Sequence, residues 1–154
     1  MSSDSSDEVQ VVSATGEIDA PAADIFELIA DPAKQPQWDG NDNLQDAPEG
    51  QRVTAVGDVF TMHLTNGKIR ENHVSEFDEG SLIAWRPASP GEEPAGHLWR
   101  WQLESLDDGR TRVTHTYDWT ELTDEARKPR ARETTPDMLQ ASIDRLAETV
   151  QTST

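Results

Sequence analysis

The chain contains no cysteine. That excludes a disulfide framework, a thiol nucleophile and any cysteine-ligated zinc or iron–sulfur site. Lysine is nearly as scarce, with Lys34, Lys68 and Lys128 the only three against ten arginines. No apolar run approaches the roughly 18 residues that cross a bilayer as a helix, so membrane insertion is not expected. Met1 to Glu8 is polar and acidic, without the basic start or apolar centre of a signal peptide, and a cytoplasmic location is the expectation. Catalytic signatures are missing too. There is no HExxH-like helix, no glycine-rich phosphate loop and no nucleophile elbow. His63, His73, His97 and His115 fall on different predicted strands with no closely spaced ligand pair. The expectation is therefore no metal and no cofactor.

What is abundant is acid. Thirty carboxylates against 13 bases give a net charge of −17. Such a surface repels phosphate backbones and anionic headgroups, which argues against a nucleic-acid partner. Many acids with few lysines also suits a salt-adapted or high-GC source. Four of the 13 bases crowd into Arg127-Lys128-Pro129-Arg130-Ala131-Arg132. This cluster either balances neighbouring acids or sits near a pocket mouth and attracts an anion.

At 154 residues the length suits one domain with its own core. Residues 1–7 read as a disordered acidic tail and 8–152 as the domain. Val9 to Ile18 predicts an edge strand, with Val9, Val11 and Ser13 on one face and Val12 on the other. Pro21 opens a helix carrying Ile25, Phe26, Leu28 and Ile29 on one face, and Asp31-Pro32 ends it. A further short helical turn follows to Trp38. Phe60, Met62 and Leu64 then alternate with Thr61 and His63. Asn66-Gly67 predicts a two-residue type I′ hairpin turn into Ile69–Phe77, and Leu82–Arg86 follows. His97, Trp99, Trp101 and Leu103 share one strand face. After the Asp107-Asp108-Gly109 turn, Val113, His115, Tyr117 and Trp119 share one face of the next strand. Two neighbouring strands thus present one aromatic surface. Finally Thr135-Pro136-Asp137 starts a long helix with Leu139, Ile143, Leu146, Ala147 and Val150 as its apolar stripe.

An aromatic sheet face must be covered, and only the last helix is long enough to do it. A curved sheet closed over one helix tends to leave a pocket. The predicted architecture is α+β: a curved antiparallel sheet of about seven strands around a long C-terminal helix, with two short helices after the first strand.

Particular stretches also resemble a known family. They are Gly16-Glu17-Ile18-Asp19-Ala20-Pro21-Ala22 running into Ile25 to Pro32, Gln35-Pro36-Gln37-Trp38-Asp39, Val56 to Phe60, Leu82 to Pro87, and Gly109 to Tyr117. In this order and spacing the chain resembles the START-like superfamily, also called SRPBCC, in its polyketide cyclase/dehydrase-like branch. The resemblance implies the helix-grip fold of birch-pollen-allergen-like proteins. It carries no catalytic signature, and it leaves three functions open. One is a carrier of a hydrophobic or lipid-like small molecule, monomeric or weakly dimeric. A second is an aromatase/cyclase, and a third is an interaction module of the kind that stimulates a chaperone ATPase.

For a binding site the candidates are Met62, Trp85, Trp99, Trp101, His115, Tyr117, Trp119, Leu139 and Ile143, whose apolar or aromatic faces suit a planar guest. For catalysis the candidates are His97, His115 and Tyr117, the inward groups suited to proton transfer. Each is also explained as a core polar group bonded to backbone or water.

Overall fold

Alternating runs become strands wherever one face can be buried, and here they form one seven-stranded antiparallel sheet. The computed structural model describes residues 10–39, 44–106, 108–123, 125–126 and 128–152. The expected tail over 1–7, together with Val9, Asp107 and Arg127, lies outside these. Strands run β1 (Val11–Ile18), β2 (Leu44–Asp46), β3 (Val59–Leu64), β4 (Ile69–Asp78), β5 (Leu82–Ala88), β6 (Leu98–Ser105) and β7 (Thr111–Asp118). Their order in space is β1-β7-β6-β5-β4-β3-β2. The chain therefore meanders from β2 to β7, while β1 closes against the last strand and forms one edge. A register shift between Val74 and Glu76 on β4 marks a bulge, which adds local bend and twist.

Between β1 and β2 lie helix α1 (Ala22–Ala30), a 3-10 turn (Pro32–Lys34) and helix α2 (Gln35–Trp38). Pro21 stands just before the first helical residue in extended conformation, and Asp31 leaves the helix before Pro32. The last carbonyls of a helix lack internal partners. Here they are met by side chains from the next turn: Gln35 Nε2 donates to the Ile29 carbonyl at 2.9 Å and Trp38 Nε1 to the Leu28 carbonyl at 2.8 Å. Arg52 ties the same region together, donating to Glu27 on α1 and to Glu79 in the β4–β5 turn.

The Asn66-Gly67 hairpin differs from the expected two-residue turn. Gly67 N donates to the Leu64 carbonyl and Leu64 N to the Lys68 carbonyl, so the loop holds three residues, Thr65 to Gly67. Gly67 takes φ +87°, which suits the glycine that ends such a loop in the left-handed region. The β6–β7 turn repeats this pattern, with Gly109 N on the Leu106 carbonyl, Leu106 N on the Arg110 carbonyl and Gly109 at φ +85°.

Helix α3 (Lys128–Arg132) follows β7, and the long helix α4 (Pro136–Thr152) closes the chain. The Thr135 hydroxyl accepts from Met138 N at the start of α4. Leu139, Ile143, Leu146 and Val150 of α4 are all buried. The helix lies across β1 and β7 and reaches α2. It approaches β1 closely at Gly16, where a Cβ would lie 3.1 Å from Ile143 Cγ2.

Candidate functional site

Strand register gathers the aromatic residues. Trp85 on β5 pairs with Trp99 on β6, and Trp99 with Tyr117 on β7. One step along, Ile83 pairs with Trp101, and Trp101 with His115. The rings touch accordingly. Trp99 and Tyr117 have centroids 4.3 Å apart, Trp101 and His115 3.7 Å apart in a near-parallel stack. Trp38 meets Trp101 edge-on at 5.2 Å, and Phe60 meets Trp85 at 5.3 Å.

Between this floor and α4 lies a cavity of about 570 Å³, partly open to solvent. Met62, Trp85, Trp99, Trp101, His115 and Tyr117 supply the sheet side, and Met138, Leu139 and Ser142 the helix side. Gln35, Trp38 and Asp39 close one end, while Leu122, Ala131, Glu133 and Thr134 border it from the β7–α4 connection. Thus seven of the nine expected binding residues share the cavity wall. His97, Arg70 and Asn72 line it as well.

Trp119 and Ile143 do not line it. Trp119 follows the parity of β7, but the strand ends at Asp118 and the ring turns into a cluster with Leu122, Ala131 and Leu139. Ile143 stands one helical turn beyond Leu139 and packs where α4 crosses Gly16 of β1. Both residues are core.

His115 is 5% exposed and its Nδ1 has no hydrogen-bond partner. Burial pushes its pKa down to about 3, against a smaller upward pull from a hydrogen bond with the Leu139 backbone. Its imidazole is therefore neutral at physiological pH, and a base this weak takes up protons poorly near neutrality. His97 and Tyr117 lie edge to face at 5.9 Å.

Of the basic run, Lys128, Ala131 and Arg132 have described surroundings. Lys128 Nζ pairs with Glu125 at 2.7 Å and the Arg132 guanidinium sits 5.8 Å from the Trp119 ring centre, while Ala131 reaches the cavity. Among the described residues no cluster of three or more His, Asp or Glu side chains could hold a metal ion.

Sequence reasoning missed Gln35, Trp38, Arg70 and Asn72 as wall residues. The inward parity of Arg70, Asn72 and Val74 on β4 was available as a signal, but polar residues occupy both faces of that strand and hid it.

Comparison with known proteins agrees with this architecture. Residues 9–151 match the family described as polyketide cyclase/dehydrase and lipid transport. An uncharacterized protein of Mycobacterium tuberculosis is 33% identical over 111 residues, covering 70% of this chain and 47% of its own length. The chain thus spans about half the length of that relative. The crystal structure of protein MLL2253 from Mesorhizobium loti superposes with a TM-score of 0.68 at 14% identity, covering 94% of this chain and 98% of that one. The major latex-like protein of Panax ginseng gives 0.63 at 17% identity over 90% and 95%. With nearly its whole described length matched and the helix-grip architecture in place, this chain belongs to the polyketide cyclase/dehydrase and lipid transport family.

Proposed function

We propose that the protein binds a hydrophobic or aromatic small molecule in the cavity between the sheet and α4. The observation that carries this reading is the wall itself: Trp85, Trp99, Trp101 and Tyr117 turn ring faces or edges toward a space of about 570 Å³. Aromatic faces offer large apolar area at little entropic cost, and a mostly apolar pocket with a few polar groups is the usual form of a small-molecule site. The family's description as including lipid transport supports it. An interaction module would have no need of an interior space this large.

Binding fits better than acid–base catalysis. A general base works best with a pKa near the operating pH, and burial holds His115 near 3. The test is titration of the purified protein with planar apolar probes, following tryptophan emission. Quenching or a spectral shift that saturates is expected, with Trp99→Leu weakening binding by roughly 10- to 100-fold through loss of one large contact face. No saturable change with any probe would overturn the reading.

A further inference from the structure

Resting on that binding reading, the charge and the hydrogen-bonding groups of the wall point to a class of ligand. The described wall carries two carboxylates, Asp39 and Glu133, against one guanidinium, Arg70. Asp39 is 8% exposed, so its charge acts through a medium less polar than water, where Coulomb interactions are stronger. Arg70 donates to the carbonyl of its own neighbour, Ile69, at 3.3 Å. His115 adds no positive charge near neutrality, since burial holds its pKa at about 3. Above the ordinary histidine range the described wall is therefore net negative, within a chain of net charge −17. Such a field draws cations and repels anions.

Hydrogen bonding points the same way. His115 lines the cavity, is 5% exposed, and its Nδ1 has no partner. Its hydrogen bond with the Leu139 backbone pulls the pKa upward, as a bond donated by the ring does. A neutral imidazole that donates from one nitrogen keeps the other as a bare acceptor. Buried polar groups are rarely left unmatched, and a donor brought in by a ligand would match this one. His73 Nε2 and Ser75 Oγ also lack partners, but neither residue lines the cavity.

The aromatic wall suits the same charge. Trp99 is half-buried and borders the cavity beside Tyr117, their ring centroids 4.3 Å apart. Indole and phenol faces attract cations, more strongly where water is excluded. An N–H donor that also carries positive charge satisfies the acceptor, the acids and the rings together.

We propose that the ligand is a cationic amine, an aromatic or apolar body bearing a protonated nitrogen. Trp85 and Tyr117 hold the body and His115 accepts the N–H, while Asp39, Glu133 and the face of Trp99 attract the charge.

Four probes on one ring test it by equilibrium dialysis against the full chain. They are naphthylmethylamine, its quaternary trimethyl form, ethylnaphthalene and naphthylacetate. The measurement is made at about pH 8, above the ordinary histidine range and below that of an alkylamine. The amine should bind at least about tenfold tighter than ethylnaphthalene, the value of one charge-assisted hydrogen bond. It should also bind more tightly than the quaternary form, which has no N–H to donate. Naphthylacetate should bind most weakly. His115→Phe keeps a ring for Trp101 to stack on and removes the acceptor. It should hold ethylnaphthalene affinity, which a general loss of fold would not, and bring the amine and its quaternary form within about twofold of each other. Asp39→Asn and Glu133→Gln should each lower amine affinity by about two- to fivefold and leave ethylnaphthalene unchanged. Glu92→Gln, an exposed site away from the wall, removes the same unit of charge and should change neither. An amine no tighter than ethylnaphthalene, or tightest binding of naphthylacetate, would overturn the assignment. So would an amine preference that survives all three wall variants, or one that falls as much in Glu92→Gln as in Glu133→Gln. Absence of binding by all four probes would instead overturn the underlying binding reading.

Discussion

Trp101 and His115 lie face to face on adjacent strands, their ring centroids 3.7 Å apart and their planes within 11°. They are register partners across β6 and β7, and Trp101 is fully buried. The stack places an imidazole where charging it is costly, which is why its pKa falls to about 3 from an ordinary 6.5.

That depression makes stability depend on pH with a definite sign. Between about 3 and 6.5 the unfolded chain holds a proton on His115 that the folded chain lacks, so stability rises with pH across this window. The contribution is complete above 6.5 and is lost as pH falls toward 3. In urea unfolding from pH 6 to pH 4, wild type should lose up to about 1.4 kcal/mol per pH unit more than His115→Gln. Carboxylate titration affects both proteins and cancels in the difference. Parallel slopes would mean that His115 charges freely in the folded state.

A second expectation concerns the join between the β5–β6 loop and the segment after β7. Gly96 has φ +121°, and a Cβ there would overlap the Glu121 carbonyl oxygen. Arg86 fastens the same join by donating to the Gly96 carbonyl at 3.3 Å. Gly91 in the same loop has φ +79° but open space around it. Gly96→Ala should therefore destabilise by about 3 kcal/mol or more, combining backbone strain with a forced shift. Gly91→Ala should lose only about 1 kcal/mol. Equal effects in thermal or urea unfolding would show that the close approach at Glu121 is unimportant.

These residues also show what was legible in the sequence. Trp99, Trp101, His115 and Tyr117 were readable because two clean alternations flank a glycine turn, and parity alone puts them on one face. The helix-grip order followed from the single long amphipathic stripe at the end of the chain. Parity fails where a strand stops: Trp119 continues the pattern of β7 but lies beyond its last residue, Asp118. A helix stripe likewise names a buried face without saying what each turn meets, so Leu139 reaches the cavity while Ile143 meets Gly16. Gln35 and Trp38 were hidden for another reason. Their side chains are held by carbonyls of α1, a tertiary bond that no local pattern encodes. The three-residue turn at Gly67 was missed because Asn-Gly suits both two- and three-residue loops.

Gly16 supplies a third expectation. It is the β1 position that α4 crowds, with Ile143 Cγ2 3.1 Å and Gln140 Nε2 3.4 Å from where a Cβ would stand. Its backbone is an ordinary strand, paired with Val113, so the constraint is space and not φ. Gly16→Val should push α4 outward and cost about 1–3 kcal/mol, the usual range for overpacking. Ile143→Ala removes the clashing branch at its own cavity cost, so Gly16→Val should cost less in the Ile143→Ala background than in wild type. Strict additivity of the two changes would place the strain elsewhere.

The final expectation comes from charge. Thirty acids face 13 bases, so even complete pairing leaves 17 carboxylates uncompensated. The pairs that form are mostly exposed, such as Arg112 with Glu104 and Arg110 with Asp108, and exposed pairs contribute about 0–1 kcal/mol each. Salt weakens these attractions and the repulsion together. The repulsion is the larger sum, because it runs over every like-charged neighbour within a Debye length, about 10 Å at 0.1 M. Raising potassium chloride from low concentration to molar at fixed pH should therefore raise the melting temperature, most steeply below about 0.1 M where screening changes fastest. Above that range a slower rise is expected from strengthened burial of apolar surface. A melting temperature that is flat or falls over the first decade of salt would show that the pairs, not the excess acids, dominate the surface electrostatics.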